Sequence, residues 1–190
     1  AYVVDESSDD LKVINVSDPS SPVQAGMLSI GSGPQSIAVV GNYAYVVDDS
    51  SNDLKVINVS NPSSPVQAGM LSIGSDPQSI AVVDNYAYVV DDSSDDLKAI
   101  NVSNPSSPVL AGRLSIGSVP QSIAVVGNYA YVVDSLGVDL KVIQLTCPRL
   151  VAINPVDSTL SISSGDNLGN HSATNDIRVN DNELFFRTGT

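Results

Sequence analysis

Short apolar runs separated by polar, turn-forming stretches mark out most of the chain. Between residues 36 and 73 the runs are SIAVV (36–40), YAYVVD (43–48), LKVINVS (54–60) and PVQAGMLSI (65–73). The separators are GN, DSSND and NPSS, with GSDPQ closing the unit. Gly and Asn tolerate positive φ, Pro presets φ, and Asp, Asn and Ser bond their own backbone, so each separator predicts a turn. Every run has strand length, and several are apolar almost throughout rather than alternating. A run such as IAVV therefore needs cover on both faces. No stripe of helical period competes with this reading.

The same words return at a constant interval. AYVVD begins at Ala1, Ala44, Ala87 and Ala130, a step of 43 residues, and PQSIAVV begins at Pro34, Pro77 and Pro120. Four antiparallel strands in each such unit, with sheets buried on both sides, predict an all-β fold of β-propeller blades stacked face to face. A β-solenoid is the alternative, but its coils are usually shorter than this unit, and a sandwich lacks the strict period. The segment LKVINVSNPSSPVQAG with the preceding NYAYVVDD resembles the LVIVD-type repeat of bacterial and archaeal surface β-propellers over roughly residues 1–145. That resemblance implies a propeller in an extracytoplasmic setting and no defined reaction.

With the strands of a blade named a to d from the centre outward, residues 1–30 supply only b, c and d, so the first blade lacks its innermost strand. Residues 36–73 and 79–116 supply complete sets; residues 122–144 supply a, b and c, with RLVAINP (149–155) as a divergent d. This gives a repeat region at 1–147 with under four blades, an incomplete ring, and a β-rich tail at 148–190. The expectation is a piece of a longer protein with missing flanking blades, or a homo-oligomer in which another copy covers the open edge. In the tail, DIRV and ELFFRT flank the turn NDN and predict a hairpin; Phe185 and Phe186 would then point to opposite faces. The stretch from Gly165 to Thr190 resembles segments of bacterial surface and tail-fibre-like proteins.

Charge narrows the function. The net charge of -13 argues against nucleic acid, which is bound by Lys and Arg. No apolar stretch approaches the ~18 residues of a membrane-spanning helix, so no membrane insertion is expected. Thirteen of the 21 carboxylates stand in the b–c connections: Asp5, Glu6, Asp9 and Asp10; Asp48, Asp49 and Asp53; Asp91, Asp92, Asp95 and Asp96; Asp134 and Asp139. Strand alternation places these turns and the d–a connections, with Asp76, at one end of the blades. The simpler reading is a solvated acidic rim that keeps repetitive strands soluble. The alternative is Ca²⁺ held by Asp48, Asp49, Asp53, Asp91, Asp92, Asp95 and Asp96, since Asp, Ser and Asn turns supply oxygen ligands, although the spacing matches no EF-hand loop. No other cofactor is expected.

Other chemistry is sparse. His171 is the single histidine and Cys147 the single cysteine, which reads as a buried thiol. No Ser–His–acid set assembles around His171, and equivalent exposed turns do not desolvate one carboxylate of a pair as a glycosidase requires. The expectation is accordingly a protein without enzymatic activity, with a carbohydrate-active enzyme fragment as a lesser alternative. The recurring Tyr2, Tyr43, Tyr45, Tyr86, Tyr88, Tyr129 and Tyr131 read as core and blade-contact packing. Asn15, Asn58, Asn101 and Asn170 stand in N-x-S sequons and are candidate glycosylation sites. Together these features point to an extracellular or cell-surface scaffold or adhesion module that meets a surface protein or glycan. A self-assembling fibre subunit, joined by strand addition between copies, is the alternative.

Overall fold

The computed structural model describes residues 1–117, 119–137 and 139–145 with their side chains, and as strand backbone residues 146, 149–153, 160–161, 178–180 and 183–185. All regular structure among them is β, in antiparallel sheets. The first sheet has three strands, β1 (Tyr2–Asp5), β2 (Asp10–Asn15) and β3 (Val23–Ser29). The second runs β4 (Pro34–Val40), β5 (Tyr43–Asp48), β6 (Asp53–Asn58), β7 (Val66–Ser72), and the third β8 (Pro77–Val83), β9 (Tyr86–Asp91), β10 (Asp96–Asn101), β11 (Val109–Ser115). The fourth runs β12 (Pro120–Val126), β13 (Tyr129–Asp134), β14 (Leu140–Thr146), β15 (Arg149–Ile153), β16 (Leu160–Ser161). Each sheet is one blade, in the strand order expected, and the first lacks its innermost strand.

The divergent fourth strand expected after residue 148 is β15, which pairs Leu145 with Leu150. The tail hairpin is β17 (Arg178–Asn180) with β18 (Glu183–Phe185), in register Arg178 to Phe185. The side chains of Cys147, Asn170, His171, Phe185 and Phe186 lie outside the described residues.

Each innermost strand opens on a proline, which has no N–H for the ladder and so fits the first strand position. The register shifts immediately after it, between Pro34 and Ser36, Pro77 and Ser79, and Pro120 and Ser122. Neighbouring innermost strands touch through those serines. Ile80 N–H donates to Ser36 Oγ at 3.4 Å, and Ile123 N–H to Ser79 Oγ at 3.4 Å.

The core is three seams between blades rather than one central mass. Successive residues of a strand face opposite sides, so each blade has a forward face toward the next blade and a backward face toward the previous one. In the second seam Tyr45, Val47, Leu54 and Val56 from blade 2 pack on Ala87, Val89, Ile100 and Val102 from blade 3. In the third, Val90, Leu97 and Leu114 pack on Ala130, Val132 and Ile143. The first joins Val4, Leu11 and Leu28 to Ala44, Val46, Ile57 and Val59. The first two seams are also clasped at their outer side. A Cβ added to Gly69 on β7 would strike the Pro105 carbonyl and Ser106 of the following blade, and Gly26 stands likewise against Pro62 and Ser63. The c–d loop, including NPSS at 61–64, thus needs a bare backbone on the preceding blade to rest upon.

Candidate functional site

The b–c turn sets two carboxylates side by side. Asp48 ends β5, Asp53 begins β6, and the two are directly opposed in the ladder, as are Asp91 and Asp96. Like charges so opposed repel unless a cation joins them. Lys55, two residues beyond Asp53, lies on the same face and supplies it. Its Nζ donates to Asp48 Oδ2, Asp53 Oδ1 and Ser51 Oγ, each at 2.7 Å. Blade 3 repeats the arrangement: Lys98 Nζ reaches Asp91 at 2.6 Å, Asp96 at 2.7 Å and Ser94 at 2.8 Å. The Asp48 carboxylate also accepts the Ser51 amide at 2.8 Å, which closes the turn over Asn52 in its left-handed conformation (φ 58°). The preceding blade covers the group: a Cβ at Gly31 would lie 4.0 Å from Lys55 Nζ.

Burial acts to raise the Asp48 carboxyl, but the Lys55 ammonium and Ser51 together outweigh it and leave it below the usual carboxylate range. In blade 1 the Lys12 hydrogen bond, aided by Ser8, brings Asp5 down to about 2. There Lys12 sits against Asp5 but 3.5 Å from Asp10 Oδ1, an atom left without a hydrogen bond in its buried position. In blade 4 Lys141 reaches Asp134 and Asp139, each at 2.8 Å, and its bond lowers the Asp134 carboxyl.

The seven carboxylates of the rim named as candidate Ca²⁺ ligands therefore divide. Asp48, Asp53, Asp91 and Asp96 are buried and held by lysine, so for these four a solvated rim is corrected to an internal ion cluster. Asp49, Asp92 and Asp95 remain at the surface end of the turns. Asp49 accepts from Gln35 Nε2 at 2.8 Å. Asp95 accepts the Val119 amide at 2.9 Å, and Asp92 N–H donates to the Asp76 carbonyl at 3.0 Å, which ties the b–c turn of blade 3 to the d–a connections before and after it. Desolvation and the neighbouring Asp76, Asp95, Asp91 and Asp134 raise the Asp92 carboxyl. Among the described residues no group of three or more carboxylate, His or Cys side chains is arranged to hold a metal ion.

The lysines are what sequence reasoning missed. The available signal was a charge recurring inside an apolar run, LKVIN or LKAIN, which cannot be buried without a partner. Among the sequons, Asn15, Asn58 and Asn101 each accept the amide of the serine two residues on at 2.9 Å, ending the strand in a side-chain turn. Tyr45 is buried as expected, and Tyr86 and Tyr88 are in tilted contact at 6.4 Å, but Tyr129 is 38% exposed.

These stacked four-stranded blades are β-propeller architecture. The model of the LVIVD repeat matches residues 1–28, 33–71, 74–115 and 117–143, and the chain belongs to that repeat family. Among solved structures, a protein from Lactobacillus plantarum superposes with a TM-score of 0.68 at 20% identity, over 85% of this chain and 50% of that one. The periplasmic gluconolactonase of Pseudomonas aeruginosa does so with 0.65 at 16% identity, over 85% and 48%. Hydrazine synthase of Kuenenia stuttgartiensis gives 0.62 at 12% identity, over 84% and 44%. The chain thus spans about half the length of the first two. No curated protein matches it. The gluconolactonase corrects the expectation of a protein without enzymatic activity: this fold carries catalysis in a structural neighbour, so repetitive turns and a single histidine in the tail do not decide the matter.

Proposed function

We propose that the chain is an extracytoplasmic binding module whose stacked blades present one acidic loop face to a positively charged partner. The observation that carries this reading is the division among the carboxylates. One lysine bridges each buried pair, whereas Asp49, Asp76, Asp92 and Asp95 have no Lys or Arg within ion-pair distance among the described residues. Desolvation, joined by the field of Asp76, Asp95, Asp91 and Asp134, leaves the Asp92 carboxyl raised, so a cation arriving there relieves repulsion as well as gaining attraction. Loops on a rigid sheet frame suit such recognition. The extracytoplasmic setting is supported by the repeat family and by the periplasmic location of the Pseudomonas aeruginosa neighbour.

Calorimetric titration with a lysine-rich peptide, and separately with Ca²⁺, tests it. Peptide binding that weakens with added salt and is lost in Asp76→Asn/Asp92→Asn is the expected result. No heat from either titrant at low ionic strength would overturn the proposal.

A further inference from the structure

The geometry points to pairing of two copies of this chain, in which the forward face of blade 4 in one seats the backward face of blade 1 in the other. Inside the chain each seam joins a forward Tyr, Val, Leu, Val set, or a close equivalent, to a backward Ala, Val, Ile, Val set. Both halves recur at the two ends, uncovered. The backward face of blade 1 carries Ala1, Val3, Ile14 and Val16; Val3 is 45% and Val16 47% exposed, while their equivalents Val46 and Val59 are 0% and 3% exposed. The forward face of blade 4 carries Tyr131, Val133, Leu140 and Val142; Val133 is 46% and Leu140 51% exposed, while Val47 and Leu54 are both 0% exposed. The two uncovered surfaces are therefore the two members of a contact the molecule already makes three times.

The occupant follows from that identity. What covers a backward face in this protein is a forward face of the same repeat, and the free forward face of a second copy is such a surface. Charge fits as well. Lys12, with Asp5 and Asp10, repeats the Lys55 cluster but lies partly open on the side that a preceding blade covers at Lys55. The contact is heterologous, so it ends in a ring only if the rotation closes. Two copies supply about the full length of the Lactobacillus plantarum neighbour, of which one copy matches 50%, and the pair is expected to close with two like seams.

Sedimentation velocity over a range of concentrations tests this. The parent chain is expected at twice its single-chain mass at high concentration. Val16→Asp and Leu140→Asp, at exposed positions that leave the fold intact, are each expected at single-chain mass. An equimolar mixture of the two keeps one unmodified seam and regains the doubled mass. Val66→Asp, 53% exposed on the outer strand of a blade covered on both faces, leaves pairing unchanged. A parent at single-chain mass throughout, mixing without rescue, loss of pairing in Val66→Asp, or open-ended growth would each overturn the proposal; a monomer is also the result if another segment of the chain occupies these faces. Should Val16→Asp disturb the circular dichroism spectrum, Val3→Asp replaces it with the same expected outcomes.

Discussion

Blades 2 and 3 and the two terminal blades share a sequence but not an environment. Val46 and Val3 stand at the same place in YVVD, yet the first is wholly buried and the second nearly half exposed. Leu54 and Leu140 stand at the same place before lysine, and differ in the same way. The ladders are alike in both pairs, so hydrogen bonding within a blade does not produce the difference. The seam does. A blade here is a sheet with two apolar faces, and stability resides in nearest-neighbour contacts, as in other stacked repeats. Identical letters therefore carry different energetic weight depending on whether a neighbour is present.

The largest expected contrast is between Lys55 and Lys12. Removing Lys55 leaves Asp48 and Asp53 buried and opposed without their cation, a loss that typically costs about 3–5 kcal/mol. Lys55→Ala is accordingly expected to lower stability by that order in urea denaturation. Lys12→Ala acts on a pair open to water on its backward side, and a much smaller loss is expected. Equal losses at the two positions would mean that seam burial does not govern these clusters.

Next come the leucines. Leu54→Ala opens a hole in a closed seam, and such truncations cost about 2–5 kcal/mol. Leu140→Ala on the uncovered face is expected to fall within about 0.5 kcal/mol of the parent chain when measured dilute. If the protein pairs through its terminal faces, the Leu140→Ala loss grows with protein concentration while the Leu54→Ala loss does not.

Most of the fold could be read from the letters because turn chemistry and apolar runs are local. YAYVVD at 43–48 is β5 residue for residue, and the expected fourth strand at RLVAI is β15. The site was less legible. Whether Asp48 meets solvent or lysine depends on which face of β5 it shares with Lys55, and on whether the preceding blade lies over that face. Both are facts of pairing and stacking, not of the turn. The tyrosine stripe shows the same limit: equal spacing predicted equal packing, but Tyr43 packs against the following blade, whereas Tyr129, at the same place in the repeat, lies on the uncovered forward face of blade 4 and is 38% exposed.

The smallest expected effect has the sharpest sign. Asp5, held in the lysine cluster of blade 1, and Asp92, at the surface end of the blade 3 turn, are pushed in opposite directions by their environments. The Lys12 bond holds Asp5 at about 2, below its ordinary 3.8, so its ionised form favours the folded chain. That contribution is complete above pH ~4 and disappears as pH falls from about 4 to about 2. Desolvation and surrounding carboxylates raise Asp92, so its ionised form disfavours the folded chain. That penalty is absent below the unfolded value, sets in as pH rises through the raised one, and persists at neutrality. Asp92→Asn is therefore expected to raise the melting temperature at pH 7 by about 1–2 °C, less than 1 kcal/mol for a chain of this size, with the gain vanishing below pH ~4. Asp5→Asn, which keeps the side-chain oxygen that accepts the Ser7 amide, is expected to lower it at pH 7 and to match the parent near pH 2. Melting curves of both variants across pH 2–8 check the pair. Shifts of the same sign at neutral pH would show that the two rims share one electrostatic environment, and the contrast between blade 1 and blade 3 would then be one of burial alone.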